Sequence, residues 1–242
     1  MDETQPDPLP LQRNVIVVLL LALAAAAWAV LVWEHSNAAM DMAMASPDIG
    51  LRAPLVLAMW VVVMMVAMMF PTAAPMIVAF HRVQAGKHRL ADAFVSAWVF
   101  VAAYLLVWVS AGFAVYAGVL AAEASVLRTA SSTAQISGVI LMLAGIYQLT
   151  PLKEVCLAQC RTPMRFIVTS WRDGPAGAFH MGLLHGLYCL GCCWMLFVIL
   201  FPLGIGVGAM AAVALLILAE RTLPWPRLVP YAPTLIFASI LS

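Results

Sequence analysis

Long apolar runs dominate this sequence, and several of them continue for 18 residues or more with no charged side chain. A helix of that length crosses the roughly 30 Å hydrocarbon core of a bilayer. Only 10% of the 242 residues are charged, whereas a soluble domain has about 25%. Because backbone polar groups in lipid must be satisfied within the spanning segment, the runs predict an all-α, polytopic transmembrane helix bundle.

The apolar runs predict six spans and a marginal seventh. Their boundaries are about 14–33, 53–80, 93–120, 132–149, 178–201 and 203–219. The tail at 228–242 is apolar but short and contains Pro230 and Pro233, so it is the marginal span. Residues 1–13 are polar, acidic and Pro-rich, and we expect them to form a disordered cytoplasmic N-terminus. The remaining 14–242 are predicted to form a single transmembrane domain.

The distribution of basic residues predicts an orientation. With a cytoplasmic N-terminus and alternating spans, ten of the 12 Lys and Arg residues face the cytoplasm, and only Arg52 and Arg128 face outside. The ten are Arg13, Arg82, Lys87, Arg89, Lys153, Arg161, Arg165, Arg172, Arg221 and Arg227. Such an excess follows the positive-inside rule. It predicts a multi-pass protein of a bacterial inner (plasma) membrane.

The fifth predicted span contains a cluster of soft metal ligands. His185, Cys189 and Cys192 share one face of a helix because they are four and three residues apart, and Cys193 lies beside that face. His180 lies nearer the cytoplasmic end. Thiolate ligands favour thiophilic ions such as Cu(I), and intramembrane ionisable groups face the bundle interior. The same cysteines also fit a set of small, packed side chains.

The segment between the fourth and fifth spans contains a second thiol pair. Cys156 and Cys160 are four residues apart, so one helical turn brings their thiols together. In a reducing compartment such a pair indicates metal binding or redox activity rather than a structural disulfide. The nearby Lys153, Arg161 and Arg165 are expected to favour the thiolate form.

Methionines and a histidine follow the first span. This predicted outer loop contains His35, Met40, Met42 and Met44. Thioethers bind Cu(I) and stay functional where thiols are oxidised, so the loop is a candidate for metal capture. The alternative is an interfacial loop whose methionines contact lipid.

The second span continues the series of thioethers. Pro71 and Pro75 are expected to kink its helix and to free carbonyl groups that neighbouring helices satisfy. Methionine is also an adaptable filler of apolar cores, so the series predicts either a metal path or simple packing. The methionines near one helical face are Met65, Met68, Met69 and Met76.

Several functional classes lack support in the sequence. There is no serine nucleophile motif, no phosphate-binding loop, no basic-aromatic surface for nucleic acid and no pair of carboxylates within a predicted span. The sequence therefore gives no basis for an enzyme.

Four segments together resemble a bacterial family of predicted metal-binding integral membrane proteins, a domain of unknown function sometimes labelled copper chaperone. The segments are 58–71 with Pro75 and Met76, 147–153, 156–163 and 182–194. The resemblance extends over about residues 50–220 and implies metal handling. After Phe201 the chain departs from the family, since Gly204–Met210 replaces the expected Met-Asn and Trp-Met pairs.

These features together predict an integral membrane protein that binds a soft metal, copper(I) rather than zinc, and transfers it by Met/His/Cys ligand exchange. The expected partners are the lipid bilayer and a metallochaperone or a larger membrane complex, without nucleic acid. One alternative is a membrane thiol-disulfide relay. Another is an accessory or assembly subunit, for which an aromatic face of the third span would contact lipid or a partner. That face comprises Trp98, Tyr104, Trp108 and Tyr116.

Overall fold

The computed structural model describes residues 8–37, 53–87, 90–124, 130–200 and 206–223. Within these ranges the chain is all-helical and contains no strand, which confirms the predicted all-α class. The helices are α1 (Pro8–Asn37), α2 (Ala53–Lys87), α3 (Leu90–Ala124), α4 (Ala130–Gln148), α5 (Pro151–Arg161), α6 (Pro163–Ser170), α7 (Gly174–Val198) and α8 (Val207–Thr222).

Four of these helices are long and apolar enough to cross a membrane, namely α1, α2, α3 and α7. A fifth span is possible if the pair 137–148 of α4 and 151–161 of α5, bent by 62°, is one broken helix. By length and composition the chain is therefore a multi-pass membrane protein. The count of six spans stays a prediction: α8 has 16 residues, and 228–242 lies outside the described ranges.

The first helix begins earlier than predicted. Residues 8–13 were expected to belong to a disordered N-terminus, but α1 starts at Pro8. Proline is tolerated in a first turn because the amide groups there have no partner within the helix, and its fixed φ suits a helical start. Residues 1–7 are outside the described part of the chain.

Two short helices occupy the segment that follows the fourth predicted span. Thr150 caps α5, where its side chain accepts a hydrogen bond of 3.4 Å from the backbone N–H of Lys153, and Pro151 occupies the first turn. Both Cys156 and Cys160 are buried residues of α5. The predicted helical turn between these cysteines is therefore present.

Two glycines allow α7 to pack closely against α3. A Cβ atom on Gly182 would lie 2.3 Å from the carbonyl oxygen of Phe100, and one on Gly186 would lie 2.9 Å from the Cβ of Val107. Small residues four apart permit this backbone approach between membrane helices. The close contact brings the inner face of α3 against the cysteine-bearing face of α7.

The inner face of α3 corrects one sequence expectation. In the accessory-subunit alternative Tyr104 and Trp108 would face lipid or a partner, but their exposed fractions are 0% and 2%. Trp98 is half-buried, and the side chain of Tyr116 is outside the described set. Aromatic side chains on a membrane helix do not by themselves indicate a lipid-facing surface, because close packing through small residues can bury them.

The α2 helix continues through Pro71 and Pro75. Proline has no amide hydrogen, so Pro71 leaves the carbonyl of Ala67 without its helical partner. The indole N–H of Trp28 in α1 donates to that carbonyl at 3.0 Å. A neighbouring helix therefore satisfies the freed backbone group, as expected for a proline inside a membrane span.

Candidate functional site

The inner face of α7 carries the predicted cluster. His185, Cys189, Cys192 and Cys193 have exposed fractions of 2% or less. The thiols of Cys193 and Cys192 both donate to the backbone carbonyl of Cys189, at 2.7 and 3.1 Å. All four side chains thus point into the protein rather than toward lipid.

Cys189 lies where four helices meet. Its thiol shares a hydrogen bond of 3.0 Å with the hydroxyl of Tyr104 from α3. The Sδ atom of Met69 from α2 is 4.0 Å away, and Nη2 of Arg221 from α8 is 2.8 Å away. The sulfur of Cys189 is therefore surrounded by a phenol, a thioether and a guanidinium.

Arg221 is the component that the sequence analysis did not anticipate. It was counted among cytoplasmic loop charges, but it is the last basic residue of α8 and is only 9% exposed. Its Nη2 atom also lies 3.6 Å from the thiol of Cys192. Its Nη1 atom is 3.2 Å from the hydroxyl and 3.4 Å from the carbonyl of Thr72 in α2. The guanidinium therefore connects two thiols with α2.

The cations that were expected to act on Cys156 and Cys160 are engaged elsewhere or exposed. Lys153 is buried, and its Nζ donates to Glu220 at 2.6 Å and to Gln148. Arg161 donates to the carbonyl of Leu223, and Arg165 is exposed. The sequence did contain a signal for the buried Arg221. Glu220 and Arg221 follow an apolar run directly, so their side chains lie beside the helices against which that run packs.

The thiol pair of α5 faces the cysteines of α7. Cys160 lies within electrostatic reach of the thiols of Cys189 and Cys192. Cys156 is directed at Gly191, where an added Cβ atom would lie 2.7 Å from its sulfur. The glycine of the Cys-Leu-Gly-Cys sequence therefore makes room for a thiol from another helix. The structure brings together two cysteine motifs that are separate in the sequence.

A comparison with protein families finds a match over most of the chain. The family model PpoB2, described as a copper chaperone, matches residues 57–241. The chain belongs to the PpoB2 family. The family match extends well beyond Phe201, after which the sequence was expected to depart. No curated protein and no solved structure matches the chain.

In this PpoB2-family chain, His185 lies in an aromatic pocket. Its ring centroid is 5.8 Å from that of Phe100, 5.6 Å from that of Tyr104 and 5.4 Å from that of Phe166. Neither ring nitrogen has a hydrogen-bond partner among the described residues. Buried polar atoms are rarely left without a partner, so these nitrogens are available to a ligand.

The predicted thioethers of α2 divide into one that reaches the thiols and others that lie in the core. Met69 contacts Cys189, as described above. Met65, Met68 and Met76 have exposed fractions of 4%, 1% and 2% and belong to the apolar core. Burial fits either reading of these three residues, as core filler or as part of a path.

The remaining predicted ligands form no hydrogen bond with the thiols among the described residues, or lie outside the described ranges. His180 is half-buried on α7, and its Nδ1 has no described partner. His35 is exposed in the last turn of α1 rather than in a loop. Met40, Met42 and Met44 lie outside the described residues.

The sulfur atoms do not form a closed metal-ligand set. In the described ranges, no three His, Cys, Asp or Glu side chains are grouped so that they could hold an ion. The thioether of Met69 lies 4.0 Å from the thiol of Cys189, and the thiols of Cys160 and Cys192 lie within electrostatic reach of Cys189. Sulfur donors of this kind select soft ions, above all Cu(I).

Proposed function

We propose that this chain is a membrane copper protein, which binds Cu(I) through sulfur ligands and transfers it by ligand exchange. The observations that support the proposal are the 4.0 Å contact between the buried thiol of Cys189 and the thioether of Met69, and the packing of the α5 thiol of Cys156 against Gly191 of α7. The copper chaperone description of the family supports the choice of metal. We propose a bacterial inner membrane with the N-terminus in the cytoplasm.

The proposed path follows the order of soft ligands through six spans. The outer loop captures the ion, the thioethers of α2 receive it, the α7 cluster holds it, and the α5 thiols form the cytoplasmic end. The successive groups are His35 with Met40, Met42 and Met44, then Met65, Met68 and Met69, then His185 with Cys189, Cys192 and Cys193, and finally Cys160 and Cys156 with His180 nearby.

Ligand exchange explains how an ion moves without being released. An incoming sulfur bonds to copper before the outgoing sulfur leaves, and a thiol loses its proton as its sulfur–copper bond forms. Met69 is a neutral ligand that needs no deprotonation, whereas Cys189 and Cys192 bind as thiolates. The thioether of Met69 beside the thiols therefore allows Cu(I) to pass from a weaker, neutral ligand to stronger thiolate ligands.

The binding test uses protein purified without oxygen and loaded with Cu(I). Cys189→Ser should lower the Cu(I) affinity by at least about 10- to 100-fold. That range is the loss caused by changing a residue that only supports the ligands of a metal site. Cys193→Ser should have a smaller effect, because among the described residues its thiol forms no hydrogen bond with Met69 or Arg221, whereas Cys189 contacts both. Affinity is measured by competition with a chromophoric Cu(I) chelator. Equal affinities for the unmodified protein and Cys189→Ser would contradict the proposal.

A matched pair of methionine variants tests the thioether. Met69→Leu should weaken Cu(I) binding, whereas Met64→Leu should leave it unchanged, because both changes conserve buried volume and Met69, which contacts Cys189, belongs to the proposed path while Met64 does not. A similar loss in both variants would assign the effect to core packing.

The proximity of the α5 thiols to those of α7 also supports a second candidate, a thiol-disulfide relay. Oxidation of Cys160 and Cys192 would form one S–S bond and pass two electrons and two protons to an acceptor such as a membrane quinone. All five cysteines are free thiols in the structure. A quinone-dependent disulfide in protein that binds no copper would favour the relay over copper binding.

A further inference from the structure

Arg221 is a buried cation whose contacts with thiols have no role in the copper path described above. Its guanidinium donates to the sulfur of Cys189 at 2.8 Å and approaches that of Cys192 at 3.6 Å. Its other contacts are with the neutral hydroxyl and carbonyl of Thr72. A charge in a membrane interior needs an opposite charge, because desolvation costs several kcal/mol.

The nearest carboxylate along the chain is already paired. Glu220 precedes Arg221, but its Oε1 lies 2.6 Å from Nζ of Lys153, and both side chains are buried. This pair is electrically neutral without Arg221. The charge of Arg221 is therefore left for the sulfur atoms that it contacts to balance.

We propose that Arg221 makes the sulfur site selective for a monovalent soft cation over a divalent one. This inference rests on the proposed function. When Cu(I) binds to Cys189 and Cys192, the two thiols that Arg221 contacts, two S–Cu bonds form and two thiol protons leave to solvent, while Cys160 and Cys193 keep their protons. The product of two thiolates and Cu(I) has a charge of −1, which Arg221 neutralises.

The same site is unbalanced when it holds Zn(II). Two thiolates and a divalent ion sum to zero, so the positive charge of Arg221 stays uncompensated beside the ion. The neutral thioether of Met69 does not change this sum. An arginine beside the ligands thus disfavours divalent ions and stabilises monovalent ones. The specificity comes from the uncompensated charge of Arg221 in the divalent complex as well as from favourable contacts in the monovalent one.

Substitutions of Arg221 separate charge from packing. Arg221→Gln removes the charge and keeps hydrogen-bonding capacity, Arg221→Lys keeps the charge without the planar fork, and Arg165→Gln is an exposed control on α6. Affinities for Cu(I), Ag(I) and Zn(II) are measured on each full-length protein by chelator competition without oxygen. The readout is the ratio of monovalent to divalent affinity.

Arg221→Gln should lower this ratio by about 10- to 100-fold, the range expected for the loss of a hydrogen bond to a charged group. Arg221→Lys should keep the ratio near that of the unmodified protein, and Arg165→Gln should leave it unchanged. If Arg221→Gln does not fold, Arg221→Lys still tests the inference. A fall of about 10- to 100-fold in the affinity ratio of Arg221→Lys, which keeps the charge, would contradict it.

The outcomes distinguish this inference from the proposed function. Unchanged ratios in Arg221→Gln, with tight Cu(I) binding in all variants, would overturn the selectivity role alone. Equal losses for Cu(I), Ag(I) and Zn(II) would assign Arg221 a purely structural role and overturn it too. Failure of the unmodified protein to bind either monovalent ion would overturn the proposed function and this inference with it.

Discussion

The surroundings of Cys189 come from residues far away in the sequence. Tyr104 lies 85 residues from it, Met69 lies 120 residues from it and Arg221 lies 32 residues from it. The spacing of His185, Cys189 and Cys192 predicted a shared buried face, because helical periodicity is a local property. The phenol and the guanidinium were not predictable, since helix packing, not local spacing, brings them to the sulfur.

Tyr104→Phe tests the contribution of the buried phenol. The change deletes the hydroxyl that bonds to Cys189 but keeps the ring that stacks on His185. We expect the free energy of unfolding to fall by about 0.5–1.5 kcal/mol, the net contribution of a typical hydrogen bond. Denaturant unfolding in detergent provides the measurement. The control is Tyr188→Phe at a half-buried position of α7, and an equal loss there would refute a specific role for the Tyr104 hydroxyl.

At the scale of helices, apolar runs predicted the long elements well. The predicted segments at 53–80 and 93–120 lie within α2 and α3, because a bilayer imposes both length and composition on a span. Helices α5 and α6 were not predicted as separate elements. They are short, with 11 and 8 residues, and a short helix at a membrane protein's polar loop has no comparable apolar signal.

Trp28 is expected to stabilise the proline-containing helix α2. Trp28→Phe removes the indole N–H that donates to the Ala67 carbonyl, so a buried backbone acceptor loses its partner. This should cost about 1–3 kcal/mol. Thermal unfolding of the purified variant measures the loss. Trp98→Phe, at a half-buried position of α3, should cost less. The role of Trp28 would be rejected if the two variants had the same stability.

The ion pair between α5 and α8 should be costly to break from one side. Glu220→Gln leaves Lys153 buried without an anionic partner, which we expect to lower the free energy of unfolding by about 3–5 kcal/mol. The exposed Glu154 of α5 offers Glu154→Gln as a control with little effect. The double variant Lys153→Met with Glu220→Met should recover part of the stability, because it removes both charges. No recovery would mean that the single variant acts by another route.

At the scale of the whole molecule, the protein encloses all of its thiols. The exposed fractions are 8% for Cys156 and Cys160 and 2% or less for Cys189, Cys192 and Cys193. The cysteines come from two helices that the sequence alone does not place side by side, so the shared enclosure is a property of the packed bundle.

This enclosure predicts slow reaction with a charged thiol reagent. A free small-molecule thiol sets the reference time for complete reaction. Within that time the reagent should modify few of the five cysteines in the folded protein, and it should modify all five after unfolding. Mass spectrometry of the intact protein counts the modified thiols. Rapid modification of Cys189 in folded protein would show that the site opens to solvent far more readily than the packing implies.

The burial of Glu220 and Arg221 also has a consequence for how the protein is assembled in the membrane. Charged residues oppose the insertion of an isolated helix, by about 2.5–3.5 kcal/mol each at the bilayer centre and by less near a helix end. Helix α8 has 16 residues and ends with this charged pair. Its partners Lys153, Thr72 and Cys189 belong to segments that precede it in the chain. We therefore expect α8 to be inserted after α2, α5 and α7, against the surface that these helices have already formed.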